Sequence, residues 1–383
     1  MGQLLERLSE RHDVGLLYFR RKGEDPLPEK LRDRCRFAIE VRHAGGRDGI
    51  RRLGRNLRLA ASPLLGRLPM WAADWLNREF AERAKQIAAE WKPDIIQAES
   101  HVMGQYLERK MIGPRTILVE HEPGAAAAAD RCRMYNGLPG FLYQRDLMMW
   151  KQFEKTVLGN ADAVVAFTAR DAAVLRELAP ATRIEVLPIG TVSPQQPPGT
   201  ASSVELLFVG NYIHPPNVDA ALRLGKNIFP QVQREIPEAR LVLAGANPPP
   251  SLRDLEGQHV TVPGLVPDLA PVLRRAAVVA VPLRYGGGIR VKVLEALAAG
   301  KAVVASRLAV EGVPVLDGEH VLIAETDAEF ASAIRSLLGD PVRRSRIAAN
   351  AREWAVANLG WERIVAGHEA LYESLLNPGP SGS

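Results

Sequence analysis

Residues 282–300 read PLRYGGGIRVKVLEALAAG. Gly286, Gly287 and Gly288 separate an apolar run of strand character from a run with helical spacing. Glycine opens backbone conformations closed to other residues and lets a ligand approach the main chain. The run that follows places Val291, Leu294, Leu297 and Ala298 on one apolar helical stripe, and Gly300 suits its end. The N–H groups of Gly288, Ile289 and Arg290 then point out of a helix N-terminus, which favours an anion. Arg290 and Lys292 oppose the helix dipole in that first turn, a placement that makes sense if an anion sits there. Glu295, one or two turns in, is placed to accept hydrogen bonds from ribose hydroxyls beyond a phosphate. The same residues also suit a plain strand-to-helix turn carrying surface charges, because the dinucleotide spacing G-x-G-x-x-G is absent.

A second group lies at strand ends in the first half. TILVEHEPG ends a strand with His121 and Glu122, and QAESHVMG places Glu99 and His101 just past another. Ligands of open α/β sheets bind outside that edge. A structural histidine capping the strand is the competing reading of His121. No Ser-His-Asp arrangement or metal-ligand spacing accompanies these residues, and His121 with Glu122 is not a metal site.

The elements that would carry these groups alternate along the chain. Strands are expected at residues 14–19, 37–41, 94–97, 116–119, 163–167 and 184–187. A second set is expected at 204–209, 240–244, 259–262, 278–281, 302–305 and 321–323. Their unbroken Val, Ile and Leu runs suit parallel strands buried on both faces, with helices as right-handed crossovers. The reading is α/β, two doubly wound domains. The domains are 1–190 and 204–361. The uncharged Pro/Gly/Ser/Gln segment 191–203 is a linker. Residues 362–376 form a helix expected to cross back to the first domain, and 377–383 a disordered tail.

Composition excludes several classes. The chain has 383 residues, 46% hydrophobic and 24% charged. No apolar run of about 18 residues reads as a transmembrane helix, and the charged start is no signal peptide. Cys35 and Cys132 form no disulfide framework and fit a reducing cytosol. The net charge is +5, with arginines concentrated in the first 70 residues. That patch is either a solvated surface or one drawn to anionic lipid headgroups or a phosphorylated acceptor. Nucleic acid is disfavoured, because no recognition motif accompanies the charge. The basic and apolar stretch with Trp71 and Trp75 reads as a membrane-docking surface helix or as ordinary packing.

Residues 204–376 closely resemble the retaining glycosyltransferases of family 4. The resemblance runs through LLFVGNYIHPPNVDAALRL, PEARLVLAGANPPP, VTVPGLVPDL, the loop quoted above and VEGVPVLDGEHVLIAE. The likeness is greatest to a branch associated with polysaccharide biosynthesis that has a glycine-rich donor loop. The first half matches in architecture and at VEHEP and VVAFTARDAAVL. The resemblance implies a GT-B fold, two Rossmann-like domains facing each other across a cleft. It implies a nucleotide-sugar donor held by the second domain, with Glu295 on the ribose. Many relatives carry a further glutamate where Gly287 stands, so sugar contacts fall to backbone around Gly287 and Gly288. Many also place Arg and Lys in the loop that here reads VGNYIHPPNVD. Gly210, Asn211, His214 and Asn217 are the candidates there, with diphosphate charge supplied by Arg290, Lys292 or Arg284. Gly264 and Val266 are expected to hold the base, and His121 to hydrogen-bond a sugar hydroxyl near the reacting centre, with Glu122 a weaker candidate.

The implied activity moves a sugar to a glycan or lipid-linked acceptor with no metal required, in the cytoplasm or peripherally on the inner membrane face. The chain enters what looks like a first helix without the strand and glycine loop expected before it. Such a loss is expected to leave a gap beside buried strands and to impair the chain unless another segment fills it. The alternatives are a truncated, non-catalytic nucleotide-sugar-binding protein and another GT-B enzyme such as a nucleotide-sugar epimerase. The epimerase would need cleft carboxylates and histidines not seen in the sequence. A pyridoxal-phosphate phosphorylase is disfavoured by length.

Overall fold

The computed structural model describes residues 2–43, 59, 68–107, 113–134, 137–191, 204–286 and 290–377. Gly287, Gly288 and Ile289 lie outside the described residues, as do nearly all of the segment read as a linker and of the tail. The same holds for residues 44–58 and 60–67 of the arginine-rich stretch. The chain divides into two compact units, one of Met1–Pro188 with Ile364–Ser383 and one of Ile189–Arg363.

The first unit opens with helix α1 (Gly2–Leu8) and strands β1 (Gly15–Arg20) and β2 (Phe37–Arg42), which pair in parallel as a two-stranded sheet. Helix α2 (Arg78–Trp91) leads to β3 (Ile95–Glu99) and β4 (Arg115–Glu120). Helices α3 (Gly124–Met134) and α4 (Gly137–Asn160) precede β5 (Ala163–Ala166), α5 (Ala169–Leu178) and β6 (Ile184–Val186). The parallel sheet β3-β4-β5-β6 packs on a core built around Trp150, Leu118, Leu158 and Leu175.

The second unit contains β7 (Glu205–Val209), α6 (Pro215–Arg223), β8 (Arg240–Ala244), β9 (Val260–Gly264) and β10 (Val278–Val281). After these come α7 (Val291–Ala298), β11 (Ala302–Ala305), β12 (Leu322–Ile323), α8 (Asp327–Gly339) and α9 (Pro341–Leu359). Its parallel sheet has the order β12-β11-β10-β7-β8-β9. All four residues of β10 and of β11 are buried, as their unbroken Val/Ala runs dictate for strands covered on both faces. Helix α10 (Trp361–Leu376) begins in this unit, and its residues from Ile364 on belong to the first.

The apolar runs forecast these strands closely, because burial on both faces leaves a continuous signal. Two details differ. Val291 is 39% exposed and leaves the apolar stripe to Val293, Leu294, Leu297 and Ala298. Arg290 is the N-cap residue rather than part of the first turn. Trp71 lies on a helix of only five residues, Met70–Asp74, and its ring packs edge-on against His101 and Trp150. Trp75 follows and packs against Phe19 and His43. Both rings thus have packing partners, and Trp71 is still 38% exposed.

Candidate active site

In the second unit β7 is flanked by β8 on one side and β10 on the other, so the chain reverses direction across the sheet there. The crevice outside such a switch point is where open α/β sheets hold ligands. The loops after β7 and β10 border it, and they are joined to each other. Lys292 Nζ donates a hydrogen bond to Asn217 Oδ1 near the start of α6. Gly286, at φ +113°, sits so close to Pro216 that a Cβ would come within 2.9 Å of its ring. The Arg290 guanidinium donates to the Gly286 carbonyl. The N-termini of α6 and α7 are thereby drawn to one place.

Glycines shape the floor. Gly245, after β8, has φ +148°, and a Cβ there would lie 1.6 Å from the Gly210 carbonyl oxygen. The Gly245 N–H donates to the Gly264 carbonyl at 2.9 Å, and the Gly210 N–H to Ala244 at 3.0 Å. Three strand ends therefore meet through bare backbone. Gly264 itself has φ +77°. Gly210 and Gly264 are legible as strand-end glycines. Gly245 carries the same signal in VLAGAN and is the residue that sequence reasoning missed.

Lys292 is the electrostatic centre of this site. Its Nζ lies 4.6 Å from the centroid of the Phe208 ring. Burial, and then the nearby Arg290 charge, pull its pKa down to about 7. Arg284 is otherwise engaged, since its guanidinium grips Asp219 in a two-pronged ion pair. Asn211 turns its side chain back onto the Ile213 N–H at 3.2 Å, and its carbonyl accepts from Asn217 Nδ2 at 2.8 Å. His214 is exposed at the N-cap of α6. Glu295 is exposed too, yet enough protein crowds its carboxyl to raise its pKa above the ordinary value. Val266 packs partly buried against the core, next to Leu265, which is 72% exposed.

In the first unit His121 follows β4. Its Nε2 lies 3.2 Å from Glu99 Oε2 at the end of β3, and its ring leans on Phe167 after β5. Three strand ends thus converge on His121. Glu122 is next in the chain, half-buried before α3. His101, in contrast, is only 1% exposed, and its Nδ1 lies 2.8 Å from Glu120 Oε1. Among the described residues no three His, Cys, Asp or Glu side chains gather as a metal site.

Behind His121 lies a buried acid cluster that no motif announced. Glu154, on α4, accepts hydrogen bonds from the N–H groups of Gly124 and Ala125, the second at 3.1 Å. It thereby caps α3 and fixes the loop that carries His121 and Glu122. Burial, then the Glu120 charge, push its carboxyl up to about 7. Burial also raises Glu120. A carboxyl whose folded pKa lies above its unfolded value stabilises the fold at low pH and loses that contribution as pH rises. Thermal unfolding across pH should therefore show the advantage of the wild type over Glu154→Gln shrinking between about pH 4.5 and 7. The change should amount to about 3 kcal/mol, at about 1.4 kcal/mol per pH unit. A constant difference would show that Glu154 is not the titrating group.

These two units and their strand-end sites place the chain in the GT-B fold class. Residues 1–191 match the family model described as "Glycosyltransferase Family 4", and residues 203–340 the one described as "Glycosyl transferases group 1". The chain belongs to glycosyltransferase family 4. It is 30% identical over 181 residues to phosphatidyl-myo-inositol mannosyltransferase of Mycobacterium leprae, covering 45% of this chain and 47% of that one. It spans about half the length of the curated relatives it matches. Sucrose-phosphate synthase from Thermosynechococcus elongatus superposes with TM-score 0.71 at 23% identity, over 98% of this chain and 92% of that one. Anabaena HepE in complex with UDP and glucose superposes at 0.64 with 14% identity, over 97% and 94%.

Proposed function

We propose that the chain is a retaining glycosyltransferase that moves a sugar from a nucleotide-sugar donor to a lipid-linked or polysaccharide acceptor. The observation that carries this reading is the junction of two helix N-termini around Lys292 at the switch point of the second sheet. Helix N-termini and a lysine stabilise a diphosphate. Backbone at Gly210, Gly245 and Gly264 admits the base and ribose closely, and Glu295 takes the ribose hydroxyls. Two relatives support the substrate classes. HepE forms a complex with UDP and glucose, and the Mycobacterium leprae protein is a phosphatidyl-myo-inositol mannosyltransferase.

In the proposed reaction an acceptor hydroxyl oxygen bonds to the anomeric carbon from the leaving-group side. The bond to the diphosphate breaks, and the departing phosphate oxygen takes the hydroxyl proton. Catalysis rests on positioning and on stabilising the diphosphate. His121 hydrogen-bonds a sugar hydroxyl, with Glu122 beside it, and no metal is required. The enzyme acts at the inner face of a membrane as a peripheral protein. Phe141 and Met148, one heptad apart on α4 and 50% and 61% exposed, support a lipid-facing surface. No described helix is long and apolar enough to cross a membrane.

A thermal-shift screen over nucleotide sugars tests the donor assignment. One nucleotide sugar should raise Tm by several degrees at saturating concentration, and Glu295→Ala should remove most of that shift without lowering the ligand-free Tm. An undiminished shift in the variant would move the ribose site elsewhere. Absence of any shift would reject the donor-binding reading.

A further inference from the structure

His121 is one end of a chain of hydrogen bonds that reaches the last helix of the first unit. Its Nε2 lies 3.2 Å from Glu99 Oε2. The other oxygen of that carboxylate, Oε1, lies 2.6 Å from Gln97 Nε2. Gln97 Oε1 in turn lies 2.7 Å from the Tyr372 hydroxyl. Gln97 and Glu99 are alternate residues of β3 and so share one face of the strand. Tyr372 comes from α10, 275 positions beyond Gln97 in the sequence.

The directions of these bonds follow from the groups themselves. An ionised carboxylate only accepts. Were the Gln97 amide turned over, its oxygen would face Glu99 Oε1 at 2.6 Å, acceptor against acceptor. The amide NH2 therefore faces Glu99, its carbonyl faces Tyr372, and the tyrosine hydroxyl must donate. That hydroxyl keeps its proton, because burial, and then the Glu99 and Glu369 charges, raise the Tyr372 pKa above its ordinary value. At the other end Glu99 accepts from His121, so Nε2 carries a proton. In the neutral imidazole Nδ1 is then the acceptor.

Both ends are held in place. Glu369, on α10 beside Tyr372, accepts from Arg11 at 3.0 Å and lies 3.0 Å from His12 Nε2. The His12 ring meets Tyr372 edge-on, with centroids 6.3 Å apart, and the buried His368 lies one turn earlier on the helix. Phe167 steadies the His121 ring at 5.3 Å.

We propose that Tyr372 and Gln97 are positioning residues that act through Glu99 to fix the Nε2–H form of His121. Nδ1 is thereby left to accept a hydrogen bond from a sugar hydroxyl. His121 then selects a partner that can donate, a hydroxyl rather than an ether or carbonyl oxygen. The sugar contact rests on the glycosyltransferase reading proposed above, whereas the tautomer is a property of the ligand-free chain.

Long-range proton–nitrogen spectra of the ligand-free chain labelled with 15N-histidine test the relay, with His121→Gln identifying the signal. The neutral wild-type ring should show a protected Nε2–H. Tyr372→Phe keeps the ring packing and should leave Tm within about 3 °C. It should nevertheless speed exchange of that proton with water at least about tenfold. With the nucleotide sugar selected by the thermal-shift screen, Tyr372→Phe should lower kcat for donor hydrolysis about tenfold and change KM little. In a His121→Gln background the same substitution should cost nothing further. An unchanged His121 signal in Tyr372→Phe, or an equal kinetic loss in both backgrounds, would overturn the relay. Full activity of His121→Gln would overturn the sugar contact, and the ring signal judges the relay in either case.

Discussion

Replacing Lys292 by methionine should leave the chain more heat-stable and nearly blind to nucleotide sugars. The side chain is held where burial opposes its charge, and the pKa of about 7 measures that opposition. Methionine keeps the stem and its contact with Phe208 but removes the ammonium. The unfolded chain holds its lysine proton up to about pH 10. Between pH 7 and that value it therefore binds more protons than the fold does, and wild-type stability should rise with pH across this window. Lys292→Met should flatten that rise and add about 3 °C to Tm at neutral pH. The same change should reduce kcat/KM roughly a hundredfold, the cost of removing one preorganised group facing developing charge. Thermal melts with and without nucleotide, alongside initial rates, separate the two effects. A variant that melts lower and still binds would place the diphosphate elsewhere.

Gly245→Ala should be far more damaging than its size suggests. The added methyl carbon would lie 1.6 Å from the Gly210 carbonyl, a backbone atom that cannot rotate away. The residue also holds φ +148°, where an L side chain is strained. Relief would require separating the ends of β7 and β8, and with them the Gly245 N–H bond to Gly264. A loss of roughly 4 kcal/mol is expected, with much of the protein insoluble. Gly257→Ala, where nothing lies within 4 Å of the new carbon, should change stability by no more than about 0.5 kcal/mol. Matching denaturation curves for the two variants would remove the close approach from any account of the site.

The strands were legible because their burial leaves unbroken apolar runs, as in VVAV and AVVA. The start of α7 was legible because a glycine run gives way there to an apolar stripe at helical spacing. The partners of those residues were not. Nothing in the sequence says that Arg284 is held by Asp219 while Lys292 reaches Asn217, because both choices depend on how α6 lies against the loop after β10. Glu154 was equally silent. A glutamate in a polar stretch of helix reads as solvent-facing until the fold buries it against Gly124 and Ala125.

With the donor diphosphate beside Lys292 as proposed, the unusual lysine would make nucleotide capture a proton-coupled event. Burial pulls the Lys292 pKa down to about 7, so its proton is loosely held near neutral pH. A diphosphate beside it would restore the charge, so binding would draw a proton from solution and departure of the nucleotide would return it. Calorimetric heats of binding should therefore vary with the ionisation enthalpy of the buffer. Affinity should weaken as the medium turns alkaline.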